Sequence, residues 1–163
     1  MSLTVRIARE VELPKLKELL DRSWRETYSP IVGADSVEAA LEDRYSVEKL
    51  SLDLNKDPEV SLIAEKDGDL IGHVFAIHRH DELYVDRLHV IAKARRSGAA
   101  RALMDKVAEI AKSRSVSKIR LEVMQANEGA VRFYEALGYT ATERREACGA
   151  TLPSPSLMME LAV

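Results

Sequence analysis

The chain holds 163 residues, 46% hydrophobic and 31% charged, with a net charge of −3 and one cysteine. That size suits one domain over residues 1–163, and the composition belongs to a globular protein rather than a disordered chain. A lone Cys148 excludes an intrachain disulfide and a thiolate metal cluster, no apolar run approaches the roughly 18 residues of a membrane span, and Met1 to Arg6 lacks a signal-peptide core; the reading is a cytoplasmic protein with neither membrane nor nucleic acid as partner.

In chain order, Thr4 to Ala8 reads as a short strand. Val11, Leu13, Leu16, Leu19 and Leu20 recur at helical spacing, which predicts a helix from about Glu12 to Tyr28, with Pro14 tolerated in its first turn. Ser36 to Tyr45 and Ser46 to Leu54 read as two further helices, each opening on a serine suited to capping. The period then changes. Val60 to Glu65 and Leu70 to His78 are strands joined by the turn signal Lys66-Asp67-Gly68-Asp69, and Leu83 to Val90 is a third.

A basic, small-residue turn follows at Arg95 to Ala100. It opens a helix with Leu103, Met104, Val107, Ile110 and Ala111 on one face. Lys118 to Met124 alternates with period two. Asn127 to Leu137 is a helix with Asn127 as N-cap and Gly138 as its stop. Tyr139 to Ala147 and Leu157 to Leu161 are the last strands, separated by a Pro/Ser loop at 152–156. Hairpins followed by strand-helix-strand-helix units imply a mixed-sheet α/β (α+β) fold rather than a doubly wound parallel one.

Charge is unevenly spread. Asp21 to Glu59 holds ten acidic and five basic residues, and Ala92 to Lys118 holds eight basic and two acidic. The plain reading is two solvated faces. The functional one is a site with a basic end for an anion and an acidic end for a cation. The turn Arg95-Arg96-Ser97-Gly98-Ala99-Ala100 sits where a strand feeds a helix, so free N–H groups and the helix dipole favour an anion there. No Walker or GxGxxG pattern is present.

Arg95, Gly98 and Ala100 in that turn, with Asn127, Ala130, Phe133, Tyr134, Gly138 and Tyr139 one helix and one strand later, resemble two motifs of the GNAT N-acetyltransferase superfamily. The likeness covers Val60 to Val163; Arg96 and Ala92 depart from glycine and proline common there. It implies a mostly antiparallel twisted sheet of six to seven strands with four to five helices and a V-shaped splay between strands 4 and 5. It also implies acetyl-CoA as cosubstrate. The pantetheine arm would lie along Leu88, His89 and Val90, the pyrophosphate on the backbone of Arg96, Ser97, Gly98, Ala99 and Ala100, and Asn127, Ala130 and Tyr134 beside it.

Direct attack of an amine on the thioester needs a base and an acid. The resemblance makes Tyr134 the acid, and Asp86 is the expected base, with ordered water as the alternative. Strand alternation puts Asp86 on one face with Leu88 and Tyr84. His78 and His80 would share a strand face, but no third ligand follows, so no metal is assigned. Cys148 reads as structural. The expected acceptor is the primary amine of a small, cationic molecule, loosely as in spermidine/spermine acetyltransferases. Protein or peptide acetylation and a non-catalytic acyl-CoA sensor are the alternatives, and a homodimer is the common assembly of the family.

Overall fold

The computed structural model describes residues 2–42, 44–54, 56, 58–148 and 152–163. Seven strands form one sheet: β1 (Leu3–Arg6), β2 (Val60–Lys66), β3 (Asp69–Arg79), β4 (Glu82–Val90), β5 (Lys118–Met124), β6 (Thr140–Arg145) and β7 (Ser156–Ala162). Their order is β1-β2-β3-β4-β5-β7-β6. Every adjacent pair is antiparallel except β4 and β5. Five α-helices flank it: α1 (Leu13–Val32), α2 (Ala34–Leu41), α3 (Val47–Leu54), α4 (Ala99–Ser113) and α5 (Glu128–Ala136). This is the mixed α/β architecture the sequence predicts.

Turn chemistry places the hairpins. Asp67 and Gly68 both take positive φ, 54° and 86°, and make a two-residue loop between the paired Lys66 and Asp69. That is the backbone an Asp-Gly pair favours because it matches strand twist. The two faces of the sheet separate cleanly. His73 and His89 are directly paired across β3 and β4, and the Nδ1 of His89 lies 3.0 Å from the Ser23 hydroxyl of α1. On the other face a Cβ at Gly72 would come within 3.2 Å of Leu103 in α4. Helix α4 therefore buries Leu103, Met104, Val107 and Ala111 on the side opposite α1. Ile110, expected on that face, is only partly buried.

The bounds of two helices differ from expectation. Helix α1 runs past Tyr28 and through Pro30 to Val32; tertiary packing carries it beyond the proline, which lacks the N–H for one helical bond. Helix α2 starts at Ala34, directly after Gly33, whose φ of 89° breaks the chain direction, rather than at Ser36. The predicted end of that helix includes Asp43, which lies outside the described residues. Ser46 does cap α3: its hydroxyl accepts from the Lys49 N–H at 3.1 Å. No helix among the described residues is long and apolar enough to cross a membrane.

Candidate active site

The site begins where β4 and β5 part. Their parallel pairing runs only from Glu82–Lys118 to Val85–Leu121. Beyond it, β4 continues to Val90 along β3, and β5 continues to Met124 along β7. From Asp86 onward one edge of β4 therefore has no strand partner among the described residues. Such an edge carries unmet N–H and C=O groups in a row and binds an extended ligand as an added strand would.

A bulge marks the same point. Phe75 pairs with Arg87 while Ala76 pairs with Val85, so Asp86 is the extra residue. A bulge resets side-chain alternation. Tyr84 is paired with Ile77, and Leu88 with Val74, residues that point to opposite faces. The expectation that Asp86 shares one face with both Tyr84 and Leu88 is thus corrected. Asp86 is exposed beside the Arg87 guanidinium, 3.6 Å away.

A cavity of about 760 Å³ fills the gap between the strands. Asp86, Leu88, His89 and Val90 line it from β4; Arg95, Arg96, Gly98, Ala99 and Ala100 line it from the turn; Asn127, Ala130 and Tyr134 line it from α5. Among the predicted residues only Ser97 is not part of that wall. Its hydroxyl instead accepts from the Ala99 N–H at 3.3 Å, shaping the turn from behind.

The turn is built to leave donors free. Gly98 takes φ 88°, with nothing within 4 Å of where a Cβ would sit. Arg96 takes φ 66°, a left-handed backbone that costs an L-residue roughly 1–2 kcal/mol. Ala102 N–H closes on the Gly98 carbonyl, while the N–H groups of Ala100 and Arg101 belong to the unpaired first turn of α4. Helix α1 clasps the turn from outside. The Glu26 carboxylate accepts from Ala92 N–H at 3.0 Å, and Arg95 donates to the Thr27 hydroxyl at 3.0 Å.

Tyr134 is 8% exposed and is held between Phe133 and Tyr139 at ring-centroid distances of 5.2 and 5.7 Å. Burial first, then Tyr139, keeps its phenol protonated far above the ordinary range. The side chain of Asn127 makes no capping bond to α5. Cys148 also lines the cavity, and burial, with Glu122 adding, pushes its thiol up to about 11. His89 is pushed down to about 3, by burial first and then by Arg87.

Several lining residues escape the sequence reading. Among the described residues Glu122 is one of two carboxylates in the wall, with Asp86. In the sequence it is an ordinary polar position of an alternating strand, and only the parting of the strands turns it into the gap. Ser156 donates to it. Ser23, Trp24, Tyr28 and Arg44 line the cavity too, although nothing in the helical pattern marks them.

The expected acidic end from residues 21–59 is corrected. Among the described residues, none of the acidic side chains of that stretch lines the cavity. Asp21 pairs with Lys17, Glu26 with Arg22, Glu38 with Arg25 and Asp53 with Arg87. The expectation that His78 and His80 share a strand face is corrected as well. β3 ends at Arg79, so His80 lies in the turn with φ 47°, and His78 Nδ1 lies 3.1 Å from the Arg114 guanidinium. Among the described residues no group of three His, Cys, Asp or Glu side chains could hold a metal ion.

Comparison with known proteins agrees with this geometry. The sequence model of the Acetyltransferase (GNAT) family matches residues 13–139. An acetyltransferase of Pectobacterium atrosepticum is 32% identical over 93 residues, 55% of this chain and 64% of that protein, so the match spans just under two thirds of the relative. N-alpha-acetyltransferase 30 of Schizosaccharomyces pombe is 29% identical over 113 residues, covering 66% and 75%. The crystal structure of a PaiA N-acetyltransferase from Thermoplasma acidophilum in complex with coenzyme A superposes with a TM-score of 0.88 over all of both chains, at 23% identity.

Proposed function

The chain belongs to the GNAT acetyltransferase family, and on that premise we propose that it moves an acetyl group from acetyl-CoA to the primary amine of a small molecule by direct attack. The observation that carries the reading is the parted pair β4 and β5, with an anion turn at one end of the gap and a buried phenol inside it. The residues fit such a cosubstrate. The open β4 edge at Leu88 to Val90 offers backbone partners to an amide-bearing arm. The turn from Arg96 to Ala100 offers N–H groups, a helix start and arginines to phosphates.

Acetyl-CoA supplies a thioester whose carbonyl carbon accepts the amine, leaving an amide and a thiol. The protein's part is to hold and move protons. Asp86, exposed at the bulge, takes the proton the amine must lose, directly or through water. Tyr134 gives its proton to the sulfur as the carbon–sulfur bond breaks. A phenol fits that task because a buried tyrosine still holds its proton when the departing thiolate forms beside it. Neither step needs a protein nucleophile.

The test is thiol release from acetyl-CoA across a panel of amino acids, aryl-alkyl amines, polyamines, aminoglycosides and short peptides. Turnover with a small amine is the expected result. Best turnover with a peptide N-terminus favours the second reading, a peptide N-acetyltransferase, which the likeness to N-alpha-acetyltransferase 30 supports. Cofactor binding with no release for any acceptor reduces the protein to an acyl-CoA-binding module.

A further inference from the structure

Arg44 stands between α2 and α3 and lines the cavity. Its guanidinium lies 4.6 Å from the centre of the Trp24 ring, and its Nε donates to the Tyr45 hydroxyl at 3.3 Å. That hydroxyl also accepts from the Trp24 indole at 2.8 Å. Face and inner edge are thus fixed. The two terminal nitrogens make no hydrogen bond or ion pair among the described residues, unlike neighbouring arginines. Arg87 is held by Asp53 at 2.6 Å and Asp86 at 3.6 Å, and Arg25 is held by Glu38. A stacked guanidinium with a free outer edge is the shape that grips a carboxylate with two parallel bonds.

Resting on the acetyl-transfer reading, we infer that the acceptor is an amino-acid-like zwitterion whose carboxylate binds Arg44 while its amine faces Asp86 and Glu122. Asp86 is close enough to Arg44 to act on its charge, so both ends of a compact α-amino acid fall within one pocket. Trp24, Tyr28, Tyr84 and Leu152 supply apolar and aromatic wall around it. A polyamine would leave Arg44 facing a second cation, with no carboxylate from the described residues of 21–59 in the wall to offset it.

The experiment compares L-phenylalanine, L-phenylalaninamide and phenethylamine as acceptors, following thiol release. The carboxamide's amine is the less basic and more often neutral, so a preference for the acid runs against amine reactivity. A charged hydrogen-bond pair supports a preference of about tenfold to a hundredfold in kcat/KM for the acid. Arg44→Gln should bring the three acceptors close together, with coenzyme A affinity by calorimetry unchanged. Binding is read separately from turnover, by calorimetry of N-acetyl-L-phenylalanine and its carboxamide on the coenzyme A complex. If neither acid nor amine releases thiol yet the N-acetyl acid still binds at least tenfold tighter than its carboxamide, the transfer reading fails and the anion pocket stands. Equal binding of the two, turnover of amide or amine at least as good as the acid, or weakened coenzyme A binding in Arg44→Gln overturns the inference.

Discussion

At the scale of single residues, Tyr134 and the two carboxylates of the gap carry the chemistry proposed. Tyr134→Phe keeps the ring between Phe133 and Tyr139 and removes only the hydroxyl. General acids contribute roughly 10²–10⁴-fold, or about 3–5 kcal/mol of barrier. The single-turnover rate should fall by that factor while acetyl-CoA affinity holds. A rate within about threefold of wild type makes Tyr134 a packing residue. Because burial raises its pKa, Tyr134 keeps its proton through alkaline pH, and no loss of activity from it is expected below about pH 10, where a free phenol titrates. Asp86→Asn should lower kcat/KM by about 10²-fold or more. If Glu122→Gln does this and Asp86→Asn does not, the base sits on β5. The place of Tyr134 in the cavity wall was legible because a motif surrounds it. Glu122 was not, since nothing local in Arg120-Leu121-Glu122-Val123 says that the neighbouring strand departs after Leu121.

Elements tell a similar story. The period-two and 3.6-residue patterns placed most of the strands and helices seen among the described residues because most of them bury one face, and that periodicity is written residue by residue. The bulge at Asp86 is invisible in Tyr84-Val85-Asp86-Arg87-Leu88, since an inserted residue in one strand is defined only by its partner's register. The start of α2 was misplaced for a different reason: Gly33 acts through its backbone angle, whereas Ser36 merely has a capping side chain. The turn before α4 was legible from its glycine and arginines, and it yields the next prediction. Gly98→Glu forces an L-residue into φ 88° and brings a carboxylate to a helix start meant for an anion. Cofactor affinity should fall by more than tenfold in a variant whose circular dichroism is unchanged. An unaltered dissociation constant in calorimetry moves the phosphates elsewhere.

For the whole molecule, acid stability follows from two histidines sealed in the sheet. Burial depresses the pKa of His73 and His89, the latter to about 3 from 6.5. Unfolded, both imidazoles take up protons near 6.5; folded, they stay neutral. The unfolded chain therefore binds more protons below about pH 6.5, and stability, full above that, falls as pH drops by about 1.4 kcal/mol per pH unit for His89 down to about 3, with His73 acting in the same direction. Glu12, whose pKa is lowered by its bonds to Arg6 and Arg9, adds its own loss only below its ordinary 4.5. Urea midpoints measured from pH 7 to 4.5 should decline, and His89→Gln should make the decline shallower. Flat midpoints over that interval would show the histidines to be hydrated.

The parted strands also bear on how the protein survives at high concentration. An open strand edge invites another chain to pair with it, and proteins usually blunt such edges. The outer edges here are β1 and β6. β6 is exposed along its whole length and carries Glu143, Arg144 and Arg145, tied into ion pairs with Glu146 and one another. Past Arg87 the open stretch of β4, Leu88 to Val90, has no such charge fence, yet it faces a crevice between two strands of the same sheet, a poor place for a flat edge from another molecule to lie alongside. Stickiness toward a slender ligand is kept, and aggregation through the same groups is excluded by shape alone.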